Sequence, residues 1–125
     1  MSAGKDNPPT PAGPYSHFRR AGNLVIVSGQ LPMKWDGDLV TEIGMATAQA
    51  IENLRAVLNA ADLDLQHVVK VTVLLADIRD FAAMNEVYAR YFGTPPPARS
   101  CFQVAALPKD ARIEIEAVAD AGTAL

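Results

Sequence analysis

Arg99, Cys101, Gln103, Glu114 and Glu116 crowd into residues 95–119 of a 125-residue chain. An arginine and a carboxylate that share a surface without neutralising each other can both address a third party, a small ligand or a neighbouring subunit. Cys101, the only cysteine, invites a nucleophilic reading. That chemistry needs a base such as histidine to form thiolate, and neither His17 nor His67 lies in a motif that supplies one.

The elements that must position these groups follow from local sequence. Pro95, Pro96 and Pro97 lack a backbone N–H and hold an extended φ, so they close what precedes them and a strand starts at Ala98. Strand parity puts Arg99, Cys101 and Gln103 on one face and Ser100, Phe102 and Val104 on the other. A second alternation has Ile113, Ile115 and Ala117 on one face and Arg112, Glu114, Glu116 and Val118 on its opposite. With Leu107-Pro108-Lys109-Asp110 as the connecting turn, the two runs predict a hairpin. In it Val104 faces Ile113, Phe102 faces Ile115, Gln103 faces Glu114 and Cys101 faces Glu116. Arg99 and Glu114 then share a face about four residues apart, roughly 13 Å at ~3.3 Å per residue. The same parity equally describes the solvated side of a half-buried sheet, where exposed Arg/Glu pairs contribute only ~0 to 1 kcal/mol.

Length and composition set the limits. One domain spanning 1–125 is expected, with a flexible tail over about 1–11 that is polar and rich in Pro and Gly. Half the residues are apolar and 20% are charged, the profile of a soluble globular protein. The longest apolar run, Val71-Thr72-Val73-Leu74-Leu75-Ala76, is far short of a membrane span, and no signal peptide is visible. A lone cysteine argues for no oxidising compartment, so the cytoplasm is the expected location. A net charge of −3 gives no global field for phosphate backbones, and the cluster His17, Arg19 and Arg20 reads as a solvated strand edge. Isolated histidines and one cysteine predict no metal site, and no Gly-rich phosphate loop implies a nucleotide cofactor.

Along the chain, 18–21 and 24–28 flank Gly22-Asn23, a two-residue hairpin signal. Leu24, Val25, Ile26 and Val27 run apolar without alternation, which predicts a strand covered on both faces. From about Ile43 the period changes. Ile51, Leu54, Leu58 and Ala61 make the stripe of an amphipathic helix ending near Asp62. Residues 67–77 return to a strand with Val69, Val71, Val73 and Leu75 on one face. Asp80 is positioned to cap a second helix, whose Phe81, Met84, Tyr88 and Tyr91 share a side before Gly93 stops it. A helix between strands favours parallel pairing. The order β-β-α-β-α-β-β predicts an α+β fold: a single mixed sheet with two helices on one face. The other face, expected to carry Cys101 and aliphatic neighbours, then needs a second subunit to bury it.

Five blocks give a closer likeness: Gly13-Pro14-Tyr15-Ser16; Ser28-Gly29-Gln30; Met84-Asn85-Glu86-Val87-Tyr88; Pro97-Ala98-Arg99-Ser100-Cys101; and the run from Leu107-Pro108-Lys109-Asp110 through Glu114-Ile115-Glu116-Ala117. In order and spacing, from about Ala12 to Ala119, the chain resembles the reactive-intermediate deaminase (RidA/YjgF) family. The resemblance implies a chorismate-mutase-like fold and a homotrimer with clefts between adjacent subunits. It implies hydrolysis of 2-imino acids or enamines, released by pyridoxal-phosphate enzymes such as threonine dehydratase, to 2-oxo acids and ammonia. No cofactor is implied. By motif, Arg99 would bind the substrate carboxylate, as a planar bidentate donor does better than lysine. Glu114 would position and activate the attacking water. Tyr15, Ser28, Gly29, Asn85 and Cys101 would line the substrate site, and Glu116 would be structural. The chain departs from the family pattern at His17, around Met33-Lys34-Trp35-Asp36-Gly37, and at Phe92-Gly93-Thr94-Pro95, which puts the pocket rim in question and leaves Trp35 either a cleft wall or an ordinary packed or surface tryptophan.

Three readings follow: an imine deaminase, which the motifs favour; an endoribonuclease or translation inhibitor, against which the acidic pI of about 5.2 counts; and a non-catalytic binder of small carboxylates that uses Arg99 without Glu114.

Overall fold

A computed structural model describes residue 8 and residues 10–122, so most of the tail expected at 1–11 lies outside the described residues. Five strands, β1 (Phe18–Ala21), β2 (Leu24–Gln30), β3 (Val68–Leu75), β4 (Ala98–Gln103) and β5 (Ile113–Asp120), form one sheet in the order β1-β2-β5-β3-β4. Helix α1 (Ile43–Ala60) connects β2 to β3, and helix α2 (Phe81–Tyr88) connects β3 to β4. Only β3 and β4 pair in parallel, across the α2 crossover; the other neighbours are antiparallel. The expected mixed α+β sheet is therefore present in the expected element order.

Both helices lie on one sheet face. Ile51, Leu54 and Leu58 of α1 and Met84 of α2 are fully buried with Val25, Val71, Val73, Leu75, Ile113 and Ile115 from alternate strand positions. The Glu42 carboxylate starts α1 by accepting from the N–H groups of Gly44 (3.0 Å) and Met45 (2.7 Å), a cap that offsets two otherwise orphaned donors. Asp80 does not cap α2 through its side chain. Its carboxylate accepts instead from Arg112 Nη2 at 2.8 and 2.9 Å, tying α2 to the start of β5.

β1 and β2 form the predicted hairpin, with Ala21 opposite Leu24 and Gly22 at φ +60°. β2 is not covered on both faces. Val25 and Val27 are buried, whereas Leu24 and Ile26 are 40% and 46% exposed, because all helical cover lies on one side. In β3, Val69 is also exposed and Val68 is buried in its place. The register with β5 shifts between Val68 and Lys70, and such a bulge turns the side chains before it over.

The largest departure concerns the two alternating runs. β4 and β5 do not form a hairpin; β3 lies between them. Val104 N–H donates to Leu75 O (2.9 Å) and Ala76 N–H to Arg112 O (3.0 Å), so the connection crosses the C-terminal end of β3. Lys109 and Asp110 both take φ 59° there. The resulting rows read Arg99–Val71–Ala117, Ser100–Thr72–Glu116, Cys101–Val73–Ile115 and Phe102–Leu74–Glu114. Side chains in one row share a face. Arg99 and Cys101 are thus on the helix-covered face, and Glu114 and Glu116 on the open one. The expectation that Arg99 and Glu114 share a face, and that Cys101 belongs to the uncovered face, is corrected.

Candidate functional site

The expected site residues fall into two groups, one on each side of the sheet. On the helix side, Arg99 Nη1 donates to Asn85 Oδ1 at 2.7 Å and lies 4.0 Å from Met84 Sδ. The guanidinium carbon stands 4.7 Å from the ring centroid of Tyr88 and 5.6 Å from that of Phe81. Arg99 forms no ion pair among the described residues, so its charge is not neutralised. Beside it runs a groove of about 490 Å³ lined by Asn85, Tyr88, Phe92, Thr94, Pro97 and Arg99 itself. Asn85, a poor helix former, sits in α2 because its amide carbonyl holds the arginine.

Cys101 is half-buried two residues along β4 and packs against the core. Burial pushes its thiol pKa up, and the Arg99 charge only partly opposes this. A thiol so held is protonated at neutral pH, which supports a lining role over nucleophilic attack.

On the open side, Glu114 is half-buried in β5. Burial, and secondarily the negative charge of Glu116, raise its pKa above the usual 4.5. Its place is made by Gly29: a Cβ at that position would stand 2.8 Å from the Glu114 carboxyl carbon. Ser28 and Gly29 occupy the stretch of β2 where the register with β5 shifts, between Val27 and Gln30. Ser28 Oγ donates to Ser16 O at 2.6 Å and Ser28 N–H to His17 O at 2.9 Å, which pins the segment carrying Tyr15. Tyr15 itself is half-exposed. A hollow of about 160 Å³ joins Tyr15, Gly29, Trp35 and Lys109, placing Trp35 beside the Tyr15 and Gly29 rim. Asn53 holds the Trp35 loop from α1, its Nδ2 donating to Leu31 O (2.9 Å) and Met33 O (2.8 Å).

The structure therefore brings Asn85, Arg99 and Cys101 together, and Tyr15, Ser28, Gly29 and Glu114 together, but separates the two sets by the sheet. Reasoning from sequence read Tyr88 and Phe81 only as a core stripe and did not connect them with Arg99. A signal was present: Phe81, Met84, Asn85 and Tyr88 fall at i, i+3, i+4 and i+7, so the polar Asn85 shares a helix face with them. The basic cluster is partly tied down, since Arg20 Nη2 donates to Ala61 O at 2.9 Å.

A family model described as endoribonuclease L-PSP matches residues 5–121. A RutC family protein of Pyrococcus horikoshii is 50% identical over 116 residues, covering 91% of this chain and 92% of that protein. A human protein named 2-iminobutanoate/2-iminopropanoate deaminase is 47% identical over 116 residues, covering 91% of this chain and 85% of its own. Among solved structures, RidA from the Antarctic bacterium Psychrobacter sp. is similar at a TM-score of 0.88 and 40% identity, covering 92% of this chain and 94% of that one.

Proposed function

The chain belongs to the RidA/YjgF family, whose model carries the description endoribonuclease L-PSP, and from that premise we propose that it hydrolyses reactive 2-imino acids or their enamine tautomers to 2-oxo acids and ammonia. The observation that carries the reading is Arg99: a cation held by an amide and two rings, with no carboxylate partner among the described residues, beside an open groove. Such a group is free to take a substrate carboxylate in bidentate fashion. Glu114 takes a proton from the attacking water as the water oxygen bonds to the C=N carbon, and that proton passes to nitrogen, giving a carbon that bears both OH and NH2. Transfer of the hydroxyl proton to nitrogen as the C–N bond breaks then releases ammonia and leaves the C=O. A carboxyl whose pKa is raised is better matched to that exchange near neutral pH than an ordinary glutamate. Asn85 and Cys101 line the carboxylate end; Tyr15, Ser28 and Gly29 shape the end where water is delivered.

Arg99 and Glu114 lie on opposite faces of one sheet, so a single copy does not present both to one ligand. The proposed assembly is a homotrimer in which the Arg99 group of one protomer meets the Glu114 group of its neighbour. The open face gives this a physical reason, because Leu24, Ile26, Val69 and Phe102 are each at least 40% exposed on the described chain. No helix among the described residues is long and apolar enough to cross a membrane. The proposed location is the cytoplasm, and the proposed partner a small imino acid.

The family description favours a second reading, cleavage of RNA. One assay separates the readings: generate 2-iminobutanoate in situ, follow its loss, and compare the native protein with Arg99→Ala and Glu114→Ala. Both variants are expected to fall to the uncatalysed rate. Equal loss with and without native protein removes the deaminase reading, and loss of activity in Arg99→Ala alone favours carboxylate capture. RNA cleavage by native protein that survives Arg99→Ala would favour the nuclease.

A further inference from the structure

We infer that Tyr88, with Phe81, is a positioning residue for Arg99, holding the guanidinium by its face so that its hydrogen-bonding edge is left for an incoming carboxylate. The inference rests on the carboxylate-binding role proposed above. An arginine beside a groove can be ordered in two ways. An Asp or Glu partner would fix it firmly but would occupy the edge that an anionic ligand needs. An aromatic ring holds the cation through its π face and leaves in-plane N–H donors unspent. The second arrangement is present: the guanidinium carbon is 4.7 Å from the Tyr88 centroid, and the one strong in-plane bond goes to the neutral Asn85 carbonyl.

Tyr88 is itself fixed. It is only 7% exposed in α2, and its ring meets Phe92 at 4.6 Å between centroids. The phenol pKa is raised by burial and drawn back by the Arg99 charge, which fits close contact between the two side chains. Phe81 is 39% exposed and contributes the second ring from about two helical turns away, at i−7 from Tyr88.

The test uses the full chain and two readouts, steady-state hydrolysis of 2-iminobutanoate and calorimetric binding of 2-oxobutanoate, an unreactive carboxylate of the same length. Tyr88→Met, which keeps apolar volume but removes the ring, is expected to raise KM and the 2-oxobutanoate Kd by roughly ten-fold with kcat nearly unchanged, since the arginine then grips ground and transition states equally poorly. Tyr88→Phe, which restores the ring, is expected to return both to within about two-fold of native. A folded Tyr88→Met with native KM and Kd overturns the inference, and so does Tyr88→Phe losing as much as Tyr88→Met. If Tyr88→Met does not fold, Phe81→Leu on the exposed side takes its place, with a rise of about three-fold expected and native values counting against the inference. Native protein that binds 2-oxobutanoate without hydrolysing the imine removes the deaminase reading while leaving Kd to decide this one. Native protein that neither binds nor hydrolyses removes both.

Discussion

Arg99 is ordered by an amide, a thioether and two rings, none of them negatively charged. Lysine offers a single compact ammonium and no fork, so Arg99→Lys keeps the charge but not the geometry. Its kcat/KM for 2-iminobutanoate is expected to fall on the order of 10²-fold, measured as imine loss. Glu114 makes the opposite demand on its surroundings. Its pKa is raised above 4.5 by burial and then by Glu116, so from 4.5 upward to the folded value the native state binds more protons than the unfolded one. Stability therefore declines as pH rises through that window, and the contribution of the protonated group is complete only below it. Glu114→Gln removes the decline. The variant is expected to melt higher than native protein above the window and to show a flatter Tm against pH, while losing about 10² to 10⁴-fold in rate. A lower Tm for the variant at neutral pH would count against the assigned cause. Gly29→Ala presses on the same carboxylate, and a well-folded variant with reduced kcat is expected. Residue type and motif single out Arg99 and Glu114 but not the sheet that separates them. The contact of Tyr88 with Arg99 was not legible, because an aromatic in a helical stripe has the same spacing whether it fills a core or faces a cation.

Parity within an element was readable, and pairing between elements was not. Alternation correctly grouped Arg99 with Cys101 and Glu114 with Glu116, since it depends only on the local pleat. Which faces coincide depends on the neighbouring strand. Two runs joined by a Pro-containing turn look like a hairpin until the intervening β3 is known, and β3 is claimed by β4 through a crossover that the β-α-β order already favoured. The apolar run Leu24-Val25-Ile26-Val27 misled for a related reason: it reports the absence of water on both faces of the finished assembly, or of one face in the chain alone, without distinguishing them. Asp80 shows the same limit. Its position before α2 reads as a cap, yet its carboxylate reaches Arg112 at 2.8 Å, a contact 32 residues away in sequence. Asp80→Ala is expected to cost about 1 kcal/mol, the value of a half-exposed charged pair, read as a lower denaturant midpoint with unchanged slope. An unchanged midpoint would show that the pair adds nothing to the joint between α2 and β5.

At the scale of the molecule, the sheet itself separates the two groups of site residues, and no rotation of side chains carries Arg99 through to the face of Glu114. Catalysis by the proposed route then requires at least two copies, each giving a different half. In the proposed assembly the open face is the surface for that meeting: Leu24, Ile26 and Phe102 are exposed on it, and a trough of about 550 Å³ runs past Arg19, Ser28, Lys70 and Glu116. This arrangement has a consequence that no single-chain site shares. Arg99→Ala and Glu114→Ala are each expected to be inactive alone. When they are co-expressed or refolded together in equal amounts, a site that draws Arg99 from a Glu114→Ala protomer and Glu114 from an Arg99→Ala neighbour is whole. Random assembly makes that combination in about a quarter of the sites, half for each contribution. The mixture is accordingly expected to recover roughly a quarter of native kcat at unchanged KM, because the restored sites are complete and the rest are silent. A mixture as inactive as its components, in an assembly shown by mass to contain both chains, would show that Arg99 and Glu114 of neighbouring protomers do not act on one substrate and would overturn the shared cleft.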